Sequence, residues 1–240
     1  MGKEKPRMGR LYGVGVGPGD PELLTLRAYH LLSRIPVIFV PLKDKKSRSY
    51  ARSVIDNLVK KSEGKVVGLV LPMLRDKNQL ADYWRKAAES IWQYLEKGED
   101  CAFVNIGDPL LYGTFIHILE TLQKSHPEVK IEVIPGISSI NAAAARTIVP
   151  LASNDEHIAI ISGNCEDKVI RQTLENFDTV VFMKIHTVFD KFLSILEELK
   201  LVEKCVYVRR CTTQDEEIIW DISKLKGKKV DYFSLLIVRK

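Results

Sequence analysis

Short apolar runs alternate with longer amphipathic segments along most of the chain. The apolar runs are rich in valine and isoleucine, which is typical of strands covered on both faces. We predict nine strands: Leu11–Val16, Val37–Val40, Lys65–Leu71, Cys101–Ile106, Ile131–Ile134, Ile158–Ile161, Thr179–Met183, Cys205–Arg209 and Tyr232–Val238. Helical patterns fall between them at about 22–34, 49–62, 77–97, 113–125, 139–146, 167–175 and 187–199. This alternation predicts a largely parallel sheet with helices on both sides.

The last third of the chain departs from the alternation. Glu216–Ile222 alternates weakly, and only a Lys/Gly turn at Lys224–Lys229 separates it from the final apolar run. We therefore expect antiparallel pairing there. The predicted fold class is α/β, with an N-terminal domain built on a mostly parallel sheet and a C-terminal domain built on a mixed sheet. We place the boundary near Tyr112–Gly113, which gives domains over 1–112 and 113–240.

Composition and charge narrow the range of functions. Hydrophobic residues make up 45% of the chain and charged residues 28%, which is ordinary for a globular protein. The apolar runs are too short to span a bilayer, and no apolar signal segment follows the basic N-terminus, so we expect a cytoplasmic protein without a membrane partner. The net charge of +5 suggests an anionic partner. Because no nucleic-acid-binding motif accompanies that charge, we expect a small polycarboxylate and no nucleic acid.

The cysteines and histidines form no pattern that binds a metal. The four cysteines include no CxxC pair, and the five histidines show no HxxH or HExxH spacing. We predict no protein-bound metal. Cys101 and Cys205 begin apolar runs, so we expect both thiols to be buried.

A glycine-rich segment, GVGVGPGDPELLT over 13–25, follows the first predicted strand and opens a helix. A Rossmann fingerprint would belong in this context, but GxGxxG needs glycine where Pro18 and Asp20 stand. Strictly alternating glycines let the backbone turn tightly and let a flat ligand approach it. Asp20 followed by Pro21 is also a typical helix start, so a capping role and a functional role for Asp20 both remain open.

Two further turns follow predicted strands. GDPLLYGT over 107–114 lies at the carboxyl end of a strand, where parallel α/β sheets bind ligands. PGISS over 135–139 precedes an alanine-rich helix, which Ser138 or Ser139 could cap. Either hydroxyl could equally hydrogen-bond a cofactor. Taken singly, a loop between strand and helix explains the first turn and a helix cap explains the second.

Together and in this order, the three motifs resemble the tetrapyrrole (corrin and porphyrin) methylase family over essentially the whole chain. VFMK at 181–184, the closing DYFSLLIVRK, and FVPLK at 39–43 with the basic residues after it are most similar to members that methylate carbon 20 of precorrin-2 or cobalt-factor II. The resemblance implies two α/β domains, a homodimer, and S-adenosylmethionine bound in the cleft between the domains. Many relatives carry Thr-Ala or Thr-Ser where this chain has Ser138-Ser139, and the hydroxyl is retained.

The resemblance also implies roles for particular residues. The glycine-rich loop would line the tetrapyrrole trough, with Asp20 as the candidate catalytic residue. The positions expected to bind the cofactor are Gly107, Asp108, Pro109, Leu110, Leu111, Ser138, Ser139 and Met183. Those expected to bind the tetrapyrrole are Gly15, Gly17, Pro18, Gly19, Lys45, Arg48, Arg209 and Arg210.

The expected activity is methylation of carbon 20 of precorrin-2 or cobalt-factor II in cobalamin biosynthesis. A sister methylase acting on another corrin carbon would share the cofactor motifs, so it is the nearest alternative. A nicotinamide-binding oxidoreductase, from a different class, would need the fingerprint that this sequence lacks.

Overall fold

The computed structural model describes residues 7–59, 64–72 and 76–240. The chain forms two compact units, one ending at Ser138 and the other spanning Ser139–Lys240. The first unit contains five strands: β1 (Arg10–Gly15), β2 (Val37–Leu42), β3 (Lys65–Val70), β4 (Cys101–Asn105) and β5 (Lys130–Ile134). Its helices are α1 (Leu26–Leu32), α2 (Tyr50–Val59), α3 (Lys77–Leu95) and α4 (Phe115–Ser125).

The first sheet is parallel throughout, in the order β3-β2-β4-β1-β5. Right-handed crossovers place helices on opposite faces when the chain moves in opposite directions across a sheet. The packing follows this rule, since α1 and α2 share one core with Val14, Ile38 and Val104. On the other face, α3 and α4 share a core with Phe39 and Phe103.

The second unit contains α5 (Ser139–Thr147), β6 (Ile158–Ser162), α6 (Asp167–Asn176), β7 (Thr179–Met183), α7 (Phe189–Glu198), β8 (Cys205–Arg209), β9 (Glu217–Ile219) and β10 (Ser234–Arg239). Its sheet runs β6-β7-β10-β8-β9. β6 and β7 are parallel, whereas β10 pairs antiparallel with β7 and β8. Phe182, Phe192 and Tyr207 are fully buried in its core.

The predicted fold class is confirmed, and all nine predicted strands are present. The weakly alternating segment supplies a tenth short strand, β9, which pairs antiparallel with β8. The helix predicted at 22–34 is divided into a 3-10 turn at Pro21–Leu23 and α1. The end of the helix predicted at 49–62 lies partly outside the described residues. β5 pairs with β1 and completes the first sheet, and the division into compact units falls after Ser138. The domain boundary near Tyr112–Gly113 stays a prediction.

Cys101 and Cys205 are buried, as predicted, and burial raises the pKa of each thiol to about 12. No helix within the described part of the chain is long and apolar enough to cross a membrane. Over the same residues, no cluster of three or more His, Cys, Asp or Glu side chains has the geometry to hold a metal ion.

Candidate functional site

The topology of the first sheet defines a candidate ligand-binding edge. β1 and β4 are neighbours in the middle of the sheet. The chain leaves β1 toward β2 and leaves β4 toward β5, so the two connections run in opposite directions on opposite faces. Open α/β sheets bind ligands beyond the carboxyl ends of the strands at such a switch point. The glycine-rich loop and the Gly-Asp-Pro loop therefore begin side by side at this edge.

Backbone hydrogen bonds join these two loops. Val16 N donates to Asn105 O at 2.9 Å, and Gly107 N donates to Gly17 O at 2.8 Å. Gly17 and Gly107 form an isolated antiparallel bridge, and both have a positive φ, of 78° and 68°. A side chain at either position would be strained, so glycine lets the two loops turn together.

The turn after β5 packs against the same two loops. A Cβ atom on Gly15 would lie 2.5 Å from Gly136 N and 2.6 Å from Gly107 O. A Cβ atom on Gly136 would lie 2.3 Å from Gly107 O. Gly15, Gly17 and Pro18 are buried, while Gly19 is partly exposed. Close packing between backbones therefore accounts for glycine at 15, and the part of this loop open to a ligand begins at Gly19.

Asp108 ties the Gly-Asp-Pro loop to the turn after β5. Its Oδ1 accepts a hydrogen bond from Leu110 N at 2.8 Å, and its Oδ2 accepts one from Gly136 N at 3.1 Å. Both carboxylate oxygens thus have backbone partners. The side chain of Asp108 fixes the shape of the loop, whatever the loop binds.

The outer part of the Gly-Asp-Pro loop presents apolar side chains. Gly107 and Pro109 are buried, Leu111 is partly buried, and the side of the loop facing solvent carries Leu110 and Tyr112, which are 51% and 39% exposed. Tyr112 has a φ of 54°, in the left-handed region that non-glycine residues seldom adopt. The sequence motif contains Tyr112, but nothing in its pattern distinguished this residue as part of the site.

Asp20 is a helix cap in this structure. Its backbone is extended, and its Oδ1 accepts a hydrogen bond from Glu22 N at 2.9 Å at the start of the 3-10 turn that opens with Pro21. The side chain is partly exposed and lies in the loop that follows the buried glycines. The capping role is therefore present, and it does not remove the carboxylate from solvent.

The basic segment after β2 is exposed. Lys45 and Arg48 both face solvent, in a turn where Asp44 Oδ1 accepts hydrogen bonds from Lys46 N and Ser47 N, both at 2.8 Å. Among the described residues, neither Lys45 nor Arg48 takes part in an ion pair. Their charges are available to an anionic ligand.

The arginines after β8 are already paired. Arg209 Nε lies 3.2 Å from Glu217 Oε2. Arg210 Nε donates to Asp231 at 2.9 Å, its Nη1 donates to Asp215 at 3.1 Å, and its backbone is left-handed with a φ of 46°. The hydrogen bond to Asp231 raises the pKa of Arg210, so this guanidinium stays charged and stabilises its own loop.

The other predicted cofactor residues divide between the two units. Ser138 is buried at the end of the first unit, and Ser139 begins α5 in the second. Met183 ends β7, where its carbonyl accepts a hydrogen bond from Gly163 N at 2.7 Å. Met183 and Arg209 flank the start of β10, so both lie at one edge of the second sheet.

The residues expected at the site therefore form two groups. In the first unit, the loops carrying Gly15–Asp20 and Gly107–Leu111 meet at one sheet edge, with Gly136 and Ser138 beside them. In the second unit, Met183, Arg209 and Arg210 share another sheet edge. The chain is an α/β protein, and the two loops that turn at Gly17 and Gly107, at the switch point of its parallel sheet, form a candidate small-molecule site.

Comparison with known proteins identifies the family. The model for Tetrapyrrole (Corrin/Porphyrin) Methylases matches residues 10–226, so the chain belongs to this family. It is 35% identical over 236 residues to a probable cobalt-precorrin-2 C(20)-methyltransferase of Methanocaldococcus jannaschii, covering 96% of each chain. It is 29% identical to the cobalt-precorrin-2 C(20)-methyltransferase of Salmonella typhimurium, covering 97% of each.

Solved structures share the fold. A uroporphyrin-III C-methyltransferase of Thermus thermophilus, solved in complex with S-adenosylhomocysteine, matches with a TM-score of 0.67 at 23% identity, covering 97% of this chain and 98% of that one. A cobalt precorrin-4 methyltransferase matches with a TM-score of 0.71 at 20% identity, covering 96% of this chain and 94% of that one. The two-sheet architecture is therefore that of tetrapyrrole methylases.

Proposed function

We propose that this protein transfers a methyl group from S-adenosylmethionine to carbon 20 of precorrin-2 or its cobalt complex during cobalamin biosynthesis. The observation that carries the proposal is similarity along the whole chain. Three relatives named as C20-methyltransferases are 29–35% identical to it and cover 96–97% of its length. A nicotinamide-binding oxidoreductase is not favoured, because Pro18 and Asp20 interrupt the fingerprint that it would need.

We propose that Gly107–Pro109 of the first unit and Met183 of the second bind the cofactor. Leu110 and Leu111 would contact its apolar part, and the hydroxyls of Ser138 and Ser139 would hydrogen-bond its polar groups. The first-unit residues suit such a ligand, because the loop that turns tightly at Gly107 also carries the exposed side chain of Leu110. When bound, S-adenosylmethionine supplies an electrophilic methyl group on sulfur.

The tetrapyrrole substrate carries several carboxylates, and exposed cations suit them. Lys45 and Arg48 are the better candidates, because both are exposed and neither needs to break an ion pair to bind. Arg209 and Arg210 remain candidates, but each would have to exchange an internal carboxylate for one on the substrate. Gly15, Gly17, Pro18 and Gly19 would shape the wall beside the ring, with Gly19 nearest to it.

The protein contributes mainly by positioning. An enamine-like carbon in a reduced tetrapyrrole is electron-rich and needs little activation to attack the methyl group. Holding the two reactants in line could supply roughly 7–11 kcal/mol of barrier reduction. Asp20 would orient the ring or accept the proton released from the methylated carbon, which is a smaller contribution.

Calorimetry and a turnover assay test the proposal. S-adenosylhomocysteine should bind and NAD should not. With S-adenosylmethionine carrying a carbon-13 methyl group, NMR of the product from precorrin-2 and from its cobalt complex should locate the label on carbon 20 and identify the preferred ring. A label on another ring carbon would favour the sister methylase instead. Binding of NAD without binding of S-adenosylhomocysteine would overturn the proposed cofactor.

We also propose that the protein works as a homodimer, as the family resemblance implies, in the cytoplasm and without a nucleic-acid partner. Light scattering should then give a mass about twice the 27.3 kDa of one chain. A mass equal to that of one chain would contradict the dimer.

A further inference from the structure

A buried amide side chain lies beneath the Gly-Asp-Pro loop. Asn105 is the last residue of β4 and the one polar residue in the apolar run Cys101–Ile106. It is 6% exposed, in a strand whose other residues belong to the core. A buried polar group is costly unless it is hydrogen-bonded, so its partners indicate why it is there.

The partners of Asn105 span the whole loop. Its Nδ2 donates to Ile106 O at 2.7 Å and, more weakly, to Asp108 O at 3.4 Å. Its Oδ1 accepts a hydrogen bond from Phe115 N at 3.4 Å. The opposite orientation of the amide would place Oδ1 against two carbonyl oxygens, so the network fixes which way the group points.

The contact with Phe115 replaces a missing helix cap. Thr114 is the N-cap residue of α4, and its side chain makes no capping hydrogen bond. Asn105 therefore supplies, from the strand before the helix, an acceptor for the first N–H of α4, one of the helix N–H groups that have no partner within the helix. One side chain thus contacts the beginning, the middle and the end of the loop between β4 and α4.

The loop also contains a strained residue that needs such support. Tyr112 is left-handed, and backbone strain persists only where the surrounding structure over-determines it. Next to it, a Cβ atom on Gly113 would lie 2.4 Å from Pro109 O and 3.0 Å from Asn105 Nδ2. The loop is folded tightly against the Asn105 amide, and Asp108 ties it to Gly136 from the other side.

We propose that Asn105 is a positioning residue that holds the Gly-Asp-Pro loop in the shape that binds the cofactor. It acts through the loop, while Leu110 and the loop backbone contact the ligand. The identity of that ligand rests on the proposed function. The shape of the loop does not depend on the proposed function, so it can be measured without any ligand.

The first test replaces Asn105 and measures the loop alone. Asn105→Leu keeps the branched shape without polar atoms, and Asn105→Ser is a smaller second variant should the first fold poorly. In both, amide hydrogen exchange of residues 107–114 should rise in the absence of ligand. Leu122→Ala is the matched control, because Leu122 is buried on α4 beyond the loop. It should lower the melting temperature and leave exchange in the loop unchanged. Unchanged loop exchange in the Asn105 variants would overturn the inference.

The second test measures binding well below the melting temperature of each variant. The dissociation constant for S-adenosylhomocysteine should rise about tenfold or more in the Asn105 variants, which corresponds to the loss of one or two hydrogen bonds, and should not change in Leu122→Ala. If the wild type binds and the Asn105 variants bind equally well, the inference is wrong. If the wild type does not bind, the proposed function fails, and the exchange data still decide the role of Asn105.

A double-mutant cycle separates positioning from general destabilisation. Glycine adopts a positive φ without strain, so Tyr112→Gly should make the loop less dependent on Asn105. Asn105→Leu should then raise loop exchange less in the Tyr112→Gly background than in the wild type. Equal effects in both backgrounds would show that Asn105 does not support the strained conformation.

Discussion

Asp20 has one role that the structure shows and a second that it permits. The carboxylate caps the turn at Pro21–Leu23 by accepting a hydrogen bond from Glu22 N. Asparagine caps a helix about as well as aspartate, but it cannot accept a proton. Replacing Asp20 by asparagine therefore separates the two roles.

We expect Asp20→Asn to melt close to the wild type and to bind S-adenosylhomocysteine normally. Its turnover should fall by about tenfold or more, toward the lower end of the effect of losing a general base. Asp76→Asn is a matched control, because Asp76 caps α3 in the same way by accepting hydrogen bonds from Asn78 N and Gln79 N. It should retain full turnover. Normal turnover in Asp20→Asn would leave Asp20 with its capping role alone.

Contacts between residues far apart in the sequence could not be predicted from local patterns. The sequence pattern identified Arg210 as a cation, but the partner of its Nε, Asp231, lies 21 residues away across a strand pairing. Asn105 was not recognised for a different reason. A single polar residue at the end of an apolar run is ordinarily interpreted as part of the strand. The polar residue that interrupts the apolar run was itself a signal of a special role, because a buried asparagine needs hydrogen-bond partners.

At the scale of elements, local patterns located the strands well and the pairings less completely. Apolar runs rich in valine and isoleucine predicted nine of the ten strands described, all but β9, since period and composition are local properties. The position of β5 outside β1, and of β10 between β7 and β8, depends on contacts between residues far apart in sequence. The division into compact units after Ser138 follows from the first of these pairings, which local sequence patterns do not show.

The exposed basic residues after β2 lead to a prediction about tetrapyrrole binding and its dependence on salt. Lys45 and Arg48 are exposed and unpaired among the described residues, so reversing both charges should weaken tetrapyrrole binding and reduce its dependence on salt. Exposed charges are screened over about 10 Å at 0.1 M salt, so wild-type binding should also weaken as salt rises. Fluorescence titration with the tetrapyrrole at several salt concentrations measures both effects.

Lys86→Glu, in the exposed part of α3, changes the net charge in the same direction and serves as the control. It should leave tetrapyrrole binding nearly unchanged, and affinity for S-adenosylhomocysteine should hardly change in any of these variants. Equal loss of tetrapyrrole affinity in Lys86→Glu would attribute the effect to net charge rather than to the segment.

An ion pair between Arg239 and Glu156, at one end of the second sheet, leads us to predict that stability depends on pH. Arg239, in β10, donates to both carboxylate oxygens of Glu156 at 2.8 Å and to Thr179 Oγ1 of β7 at 2.9 Å. The hydrogen bond from Arg239, with one from Ser153 N, lowers the pKa of Glu156 below its ordinary value of 4.5. A lowered pKa in the folded state contributes stability above pH 4.5 that is lost as pH falls through the folded-state value.

Urea unfolding measured from pH 6 to pH 3 should therefore show a smaller acid-induced loss of stability in Glu156→Gln than in the wild type. Glu203→Gln, at an exposed position, is the control and should follow the wild-type curve. If Glu156→Gln lost stability as steeply as the wild type, the contact with Arg239 would have no part in the acid sensitivity.

At the scale of the whole molecule, each unit has its own sheet and its own buried core. The proposed cofactor residues are divided between them, with Gly107–Pro109 in the first unit and Met183 in the second. A ligand that contacts both units stabilises both, whereas a ligand that binds one sheet edge stabilises that unit alone. Hydrogen exchange resolved along the chain distinguishes these cases.

We expect S-adenosylhomocysteine to slow amide exchange around residues 105–114 and around residues 183–187 together. At a ligand concentration 100 times the dissociation constant, binding to the folded state alone should raise the free energy of unfolding by about 2.7 kcal/mol. NAD at the same concentration is the control and should change neither segment, because the loop after β1 lacks the nucleotide fingerprint. Slower exchange in the first segment only would confine the cofactor site to the parallel sheet. Met183 would then be a residue at the end of a strand with no part in binding, and its proposed role as a cofactor residue would be wrong.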